Sequence, residues 1–211
     1  MFGRRIHTQR VTAFAGGLVA IVALSYLGLN CIRAFRMHHW LSEIEDGSLT
    51  WRQRASAADR LIQVGRPAAP GLLKVLRASD PLSRKLAMMS LAVIGPRSGL
   101  RAIVEHFCGE TDASVRAYAV MAVRRIGPGY AEIESFARRA LADPAPSVRG
   151  SGICLVYSIE DMDLDLKRKE IGVLLSDPSP GVRRVAADYL ELLDYQSDKS
   201  RKWYSCGIPG T

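Results

Sequence analysis

Arginine and aspartate recur together along this sequence, a pairing that could bind an anion or transfer a proton. The arginines lie 30 to 34 residues apart, at Arg54, Arg84, Arg116, Arg149 and Arg183. Aspartates precede the last four of them, at Asp80, Asp112, Asp143 and Asp177. A catalytic acid does not need several copies, whereas structural ion pairs often resemble functional ones. The repetition therefore favours a structural role.

A run of alternating aspartates at 161–165 resembles the opening of a calcium loop. Such a loop needs glycine at its sixth position and a bidentate glutamate at its twelfth, where this chain has Leu166 and Gly172. We instead expect an acidic first helical turn, favoured by the helix dipole, with Asp163 paired to Lys167 four residues later.

Other catalytic or metal-binding signatures are missing from the sequence. The four histidines and four cysteines form no Cys-x-x-Cys, zinc or His-Glu pattern. Neither a Ser/His/Asp signature nor a glycine-rich phosphate loop is present. We therefore expect no catalytic residue, no metal ligand and no cofactor.

The elements that carry the arginines alternate with segments whose apolar residues stand three and four apart, the period of an amphipathic helix. These segments cover 66–79, 97–109, 130–142 and 164–176. Gly65, Gly95 and Gly127 stand where the second helix of a unit would end, and a proline follows each of them closely. The pattern predicts units of helix, turn, helix and turn, without strands.

Five such units are visible over 36–194. One helix pair cannot bury its apolar face alone, but stacked pairs share a continuous core. The predicted fold class is all-α, a right-handed α-solenoid of about five helix pairs, followed by a polar C-terminal tail over 195–211. Gly150 and Gly152 weaken the second helix of the fourth unit by about 2 kcal/mol relative to alanine, which predicts a local change in curvature.

The repeated pattern resembles a known family of helical repeats. The sequence L-x-x-I-G-P…L…D-x-x-x-V-R-x-x-A, carried best by 94–96, 112–116 and Ala119, is similar to the short HEAT-like repeats of many bacterial proteins and of the phycobilin lyases. The resemblance covers 36–194 and implies HEAT-like helix pairs of the armadillo type. It also implies a structural ladder in which each arginine bonds a turn carboxylate or carbonyl, formed by Asp80, Arg84, Asp112, Arg116, Asp143, Arg149, Asp177 and Arg183.

The N-terminal segment has the pattern of a membrane anchor. Residues 11–32 contain no charge and follow a basic tail over 1–10. A helix of that length covers about 33 Å, enough for a bilayer core of about 30 Å. We expect an uncleaved transmembrane helix or signal anchor rather than a cleaved secretory peptide or a lipidated Cys31. The predicted location is the bacterial inner membrane, single-pass, with the repeats on the exported side.

The charge distribution argues against a nucleic-acid partner. The net charge is +8, but residues 1–36 carry five arginines and no acidic residue. The basicity therefore belongs mainly to the N-terminal segment, and we expect no nucleic acid to bind.

Solenoids present an extended concave surface that binds other proteins. The sequence therefore predicts a membrane-anchored interaction scaffold, not an enzyme, with an unidentified protein partner. The candidate partner-binding residues are Lys85, Tyr118, Met121, Arg124, Arg125 and Arg184. The resemblance implies an alternative function, a phycobilin-lyase-like enzyme or enzyme subunit acting on a tetrapyrrole.

Overall fold

The computed structural model describes residues 25–205, apart from the side chains of 96–98 and 197–205. Its elements are α1 over 25–45, α2 (Trp51–Val64), α3 (Ala69–Val75), α4 (Pro81–Ile94), α5 (Pro96–Gly109), α6 (Ala113–Ile126), α7 (Tyr130–Leu141), α8 (Pro146–Ser158), α9 (Leu164–Gly172) and α10 (Pro180–Ser205). Short 3₁₀ turns at Arg66–Ala68 and Val173–Ser176 precede α3 and follow α9. Over this range no strand forms, which confirms the all-α prediction.

Local signals in the sequence start the helices. The Thr50 hydroxyl accepts from the Gln53 N–H, and the Gln53 side chain accepts from the Thr50 N–H at 2.9 Å, so the two residues cap α2 reciprocally. Asp80 accepts from the Ser83 N–H at 2.9 Å at the start of α4. Proline, whose φ suits a first helical turn and whose missing N–H is not needed there, opens α4, α5, α8 and α10.

Two of the three predicted glycine stops have the backbone conformation that requires glycine. Gly65 follows α2 with φ of 78°, and Gly127 follows α6 with φ of 66°. Gly95 ends α4 as predicted but is extended, with φ of −150°. It precedes Pro96, and the proline ring disfavours the helical region for the residue before it.

Successive even-numbered helices pack on each other from α2 to α10, and α3, α5, α7 and α9 each pack on the even-numbered helix that follows. The buried stripe consists of a small residue three positions after the repeated arginine and a larger residue four positions after that. Its fully buried members include Ala57, Leu61, Ala87, Leu91, Ala119, Val123, Val156 and Ala186. The predicted helical solenoid is thus confirmed, while its right-handed sense and the domain boundaries stay predictions.

The last described helix continues into the segment that the sequence predicts to be a polar C-terminal tail. α10 continues through Ser205, although the sequence predicts a polar tail from residue 195. The segment 195–205 contains neither glycine nor proline, so nothing in it terminates the helix. Residues 206–211 of the predicted tail lie outside the described residues.

The membrane prediction is contradicted. Between residues 25 and 205, no helix is both long enough and apolar enough to span a bilayer. The predicted single-pass location is therefore wrong on this finding. Residues 1–24, which include the basic tail and most of the predicted anchor at 11–32, lie outside the described residues.

Candidate binding surface on the inner face of the solenoid

The arginines at 54, 84, 116, 149 and 183 are here called the arginine row, and the first four of them connect neighbouring units. Arg116 donates through Nε and Nη2 to both carboxylate oxygens of Asp143, at 2.7 and 2.8 Å. Its Nη1 donates to the carbonyl oxygens of Glu110 and Thr111, at 3.2 and 2.9 Å. The planar guanidinium therefore ties its own turn to the next unit.

The same geometry repeats on both sides. Arg149 donates to Asp177 at 2.6 and 2.7 Å, and Arg84 donates to Glu110 at 2.7 and 2.9 Å. Arg183 donates through Nη1 to the carbonyl oxygens of residues 177 and 178, at 2.7 and 3.1 Å. Among the described residues no carboxylate completes that last position.

Asp112 occupies a different place from the one predicted. It caps α6, accepting from the N–H groups of Ser114 and Val115 at 2.8 and 3.1 Å. Glu110 occupies the ladder position instead, because the pairing carboxylate stands six residues before the arginine of its own unit and not four. Asp80, which also stands four residues before its arginine, caps α4 and accepts a hydrogen bond from Arg54 as well.

The ladder carboxylates are held ionised. Burial opposes the ionisation of Asp143, but hydrogen bonds from Arg116 and from the Ala145 N–H outweigh it and lower the pKa of Asp143. Burial also opposes the ionisation of Glu110, but hydrogen bonds from Arg84 and from the Asp112 N–H outweigh it and lower the pKa of Glu110. Groups held in this way serve as fixed acceptors at neutral pH and are poorly suited to proton transfer.

Each even-numbered helix has an exposed side opposite its buried stripe. We call this exposed side the inner face. Positions two, five and nine residues after each row arginine are exposed or half-buried in every unit, which places them on this side. In the middle of the solenoid six of these nine positions are apolar or aromatic, and the other three are Arg125, Ser151 and Ser158. The six are Leu86, Met89 and Val93 on α4, Tyr118 and Met121 on α6, and Cys154 on α8.

Three of the predicted partner-binding residues are neighbours on the inner face. The Lys85 ammonium lies 5.3 Å from the ring centroid of Tyr118, a cation–π contact between α4 and α6. Tyr118 is 39% exposed and Met121 is 45% exposed. The pair of exposed apolar groups next to a cation could hold a flat apolar ligand that carries negative charge.

Two tyrosines that the sequence analysis did not single out meet beside Cys154 of the inner face. Tyr157 on α8 and Tyr189 on α10 meet edge to face, with ring centroids 4.9 Å apart. A hydrogen bond with Cys154, together with burial, raises the pKa of Tyr189. Their positions after the row arginine differ between units, so the repeat alignment does not reveal that they meet.

The three remaining predicted residues lie apart from this cluster. Arg125 is exposed one helical turn beyond Met121, and Arg124 lines a pocket of about 300 Å³ between the α6–α7 and α8–α9 turns. Asp161 borders the same pocket and accepts from the Tyr130 N–H at 2.9 Å. Arg184 is exposed on α10, at the far end of the solenoid.

Lys167 does not form the predicted pair with Asp163. It is 6% exposed, and its Nζ donates to the Tyr157 carbonyl oxygen at 3.1 Å, at the last turn of α8. Burial lowers the pKa of Lys167, although Asp161 and Glu160 act in the opposite direction. Asp163 instead caps α9, accepting from the N–H groups of residues 165 and 166 at 2.9 and 3.1 Å.

Comparison with known proteins identifies a similar solved structure. No protein-family model and no curated protein matches the chain. The chain is similar to the complex of CpcE and CpcF of phycocyanin lyase from Nostoc sp. PCC7120, with a TM-score of 0.63 and 18% identity over 74% of this chain and 98% of that one. The chain is also similar to an engineered protein, with a TM-score of 0.46 and 16% identity over 78% of this chain and 81% of that one.

The likeness to the lyase structure shows that the two chains share a helical-repeat fold. It agrees with the HEAT-like resemblance found in the sequence. It contradicts the expectation that the chain is not an enzyme, because the solved structure belongs to a lyase. That structure is also a complex of two subunits.

Proposed function

We propose that this chain is a phycobilin-lyase-like enzyme or enzyme subunit that acts on a tetrapyrrole together with a protein partner. The observation that carries the proposal is the likeness to the phycocyanin lyase complex, which extends over 98% of the solved chain. This comparison supports the alternative function over the scaffold interpretation, since the likeness involves almost the whole of a lyase chain and not one helix pair.

The chemistry of the inner face is consistent with such a substrate. A linear tetrapyrrole presents flat conjugated rings and two propionate carboxylates. Tyr118, Met121 and Tyr157 provide apolar and aromatic surface for the rings. Lys85 and Arg125 provide cations that can bind the carboxylates.

In this proposal the repeat domain over 36–194 carries the activity, and each set of residues has a distinct role. The arginine row and its carboxylates hold the units in register. The inner face binds and orients the tetrapyrrole while a partner protein supplies or receives it. Lys85, Tyr118, Met121, Arg124, Arg125 and Arg184 remain the proposed contact residues.

Absorption spectroscopy of the full chain with biliverdin tests this function. We expect a red-shifted and intensified long-wavelength band, because a bound bilin is held extended in a less polar site. Tyr118→Ala combined with Met121→Ala should weaken binding at least ten-fold. Val173→Ala, which truncates a 72% exposed side chain on the 3₁₀ turn after α9, serves as the control.

The proposal fails if neither biliverdin nor its reduced derivatives change spectrum with the wild-type chain, alone or with a co-purified partner. Equal affinity in the wild type and in the double variant would remove the inner face as the binding site. Melting curves of each variant show whether lost binding reflects lost folding.

A further inference from the structure

A second pocket lies at the opposite end of the solenoid from α10. It has a volume of about 580 Å³ and is formed by α1, the end of α2 and the 3₁₀ turn after it. Its lining includes Arg33, Arg36, Met37, Trp40, Val64 and Pro67. Asn30 and Gln63 complete the lining; Gln63 stands at the edge of the inner face, and none of the proposed tetrapyrrole contacts lines the pocket. The volume lies in the range of pockets that hold small organic ligands.

The charge of this pocket is positive. Arg33 and Arg36 are exposed, and over residues 25–205 neither takes part in an ion pair. The sequence has no acidic residue before Glu43. Glu43 lies 3.4 Å from the His39 imidazole and 3.8 Å from the Arg60 guanidinium. The two arginines therefore keep their bidentate donors available to a ligand.

Apart from Asn30 and Gln63, the rest of the wall is apolar. Met37, Trp40 and Val64 are half-buried and pack against the hydrophobic core. Met37 follows Arg33 by four residues and Trp40 follows Arg36 by four, so the cations and the apolar side chains share one side of α1. A ligand in contact with both groups must carry an anion at one end and an apolar body at the other.

We propose that this pocket binds an amphipathic carboxylate of the fatty-acid type. The carboxylate is held between Arg33 and Arg36, and the aliphatic body lies on Met37, Trp40 and Val64. Planar guanidinium groups bind carboxylates through paired hydrogen bonds. The proposal does not rest on the tetrapyrrole function, because it concerns different residues at a different end of the chain.

Titration of the full chain with dodecanoate below its micellar concentration tests the proposal, followed by tryptophan fluorescence. We expect saturable binding, and loss of the signal change in Trp40→Phe. Charge reversal by Arg33→Glu and Arg36→Glu should weaken binding at least ten-fold. Lys74→Glu with Arg77→Glu is the matched control, since these exposed cations are also three residues apart; it should bind as the wild type does.

A neutral analogue separates charge recognition from apolar adsorption. Methyl dodecanoate should bind at least ten-fold more weakly than dodecanoate, and equal affinity would overturn the proposal. Equal loss in the Lys74/Arg77 control would overturn it as well, because binding would then follow net charge. The melting temperature of each variant establishes that it is folded.

Competition with biliverdin shows whether the pocket binds a fatty acid or the tetrapyrrole, because the propionates of biliverdin are also carboxylates on an apolar body. Biliverdin that binds without displacing dodecanoate supports two separate sites. Displacement, with both ligands lost in the Arg33/Arg36 variant, identifies the tetrapyrrole as the source of the carboxylate and overturns the fatty-acid assignment. Dodecanoate binding without any biliverdin binding would support the fatty-acid proposal and contradict only the lyase proposal.

Discussion

At the scale of single residues, the ladder depends on position more than on residue type. Glu110, Asp143 and Asp177 all stand six residues before a row arginine, and each accepts a bidentate pair from the preceding unit's arginine. Each also accepts a backbone N–H two residues later, at 2.8 Å. A glutamate and two aspartates thus perform the same task, while Asp112 performs another.

The arginine row allows a matched test of the ladder. Arg149→Ala leaves the nearly buried Asp177 carboxylate, 3% exposed, without its bidentate partner. We expect the free energy of unfolding to fall by about 3 kcal/mol, since one partner of a largely buried pair is removed. Arg183→Ala is the control, because Arg183 binds only carbonyl oxygens among the described residues, and it should cost less than about 1 kcal/mol. Urea denaturation measures both, and equal losses would contradict the ladder's role.

Acid should weaken the contact between Arg54 and Asp80, which is the first along the arginine row. Burial opposes the ionisation of Asp80, but hydrogen bonds from Arg54 and Ser83 outweigh it and lower the pKa of Asp80 to about 2. Because this pKa lies below that of an unfolded aspartate, the ionised group stabilises the fold above about pH 4. This contribution is lost as the pH falls from about 4 through about 2. Asp80→Asn should therefore be less stable at pH 7 and lose less stability over that window.

Denaturation curves at pH 7, 4, 3 and 2 check the acid prediction. Asp188→Asn, at an exposed aspartate that has no ion pair within the described residues, is the control and should follow the wild type. Parallel pH profiles for Asp80→Asn and the wild type would rule out the assigned role of Asp80.

At the scale of elements, α8 differs from the other even-numbered helices at both its middle and its end. Its last turn has no glycine stop, and Ile159 follows it in an extended conformation. The buried Lys167 ammonium donates to the Tyr157 carbonyl there, so a side chain from α9 satisfies a helix end that a glycine turn satisfies after α6.

The two glycines of α8 have opposite roles. A Cβ at Gly152 would lie 3.1 Å from the α7 backbone at Ala140 and Leu141, whereas a Cβ at Gly150 would meet nothing within 4 Å. Gly150→Ala should raise the free energy of unfolding by about 0.5–1 kcal/mol, because alanine is the better helix former. Gly152→Ala should lower it by about 1–3 kcal/mol, because the added methyl group forces α7 away.

Thermal and urea denaturation of the two alanine variants measures this difference directly. Stabilisation by both substitutions would mean that the close approach of α7 to α8 is not required. The predicted change in curvature at this unit stays a prediction.

At the scale of the whole molecule, stability is distributed through contacts between neighbouring units. The central positions Met88, Val120 and Ile153 are fully buried between successive even-numbered helices. The equivalent residue of the last described unit, Ala187, is exposed, since none of the described helices packs on that side of α10. The first turns of α1 project Tyr26, Leu29 and other apolar side chains that are more than half exposed.

Hydrogen exchange should therefore follow position along the solenoid. We expect the amides of α6 to be the most protected, because units on both sides cover them. The amides of 25–36 should exchange faster, since none of their side chains is buried and local opening there disrupts little packing. Mass-spectrometric exchange of the full chain measures this gradient, and uniform protection across α1 and α6 would contradict it.

The sequence by itself determines the helix pairs, their number and the buried stripe. Two local signals determine them. Apolar residues recur at the helical period, and the small and larger residues of the buried stripe recur at the same distances from each row arginine. Stacking involves only neighbouring units, so a pattern read within one unit is sufficient to place its core.

The tertiary structure decides which side chains meet across units. Glu110 replaces Asp112 in the ladder, Tyr189 approaches Cys154, and Lys167 reaches the end of α8. Each of these contacts depends on the offset between adjacent helix pairs, which no periodic pattern records. The positive pocket of α1 likewise exists only because Arg33 and Arg36 are brought against residues of α2 that are distant in sequence.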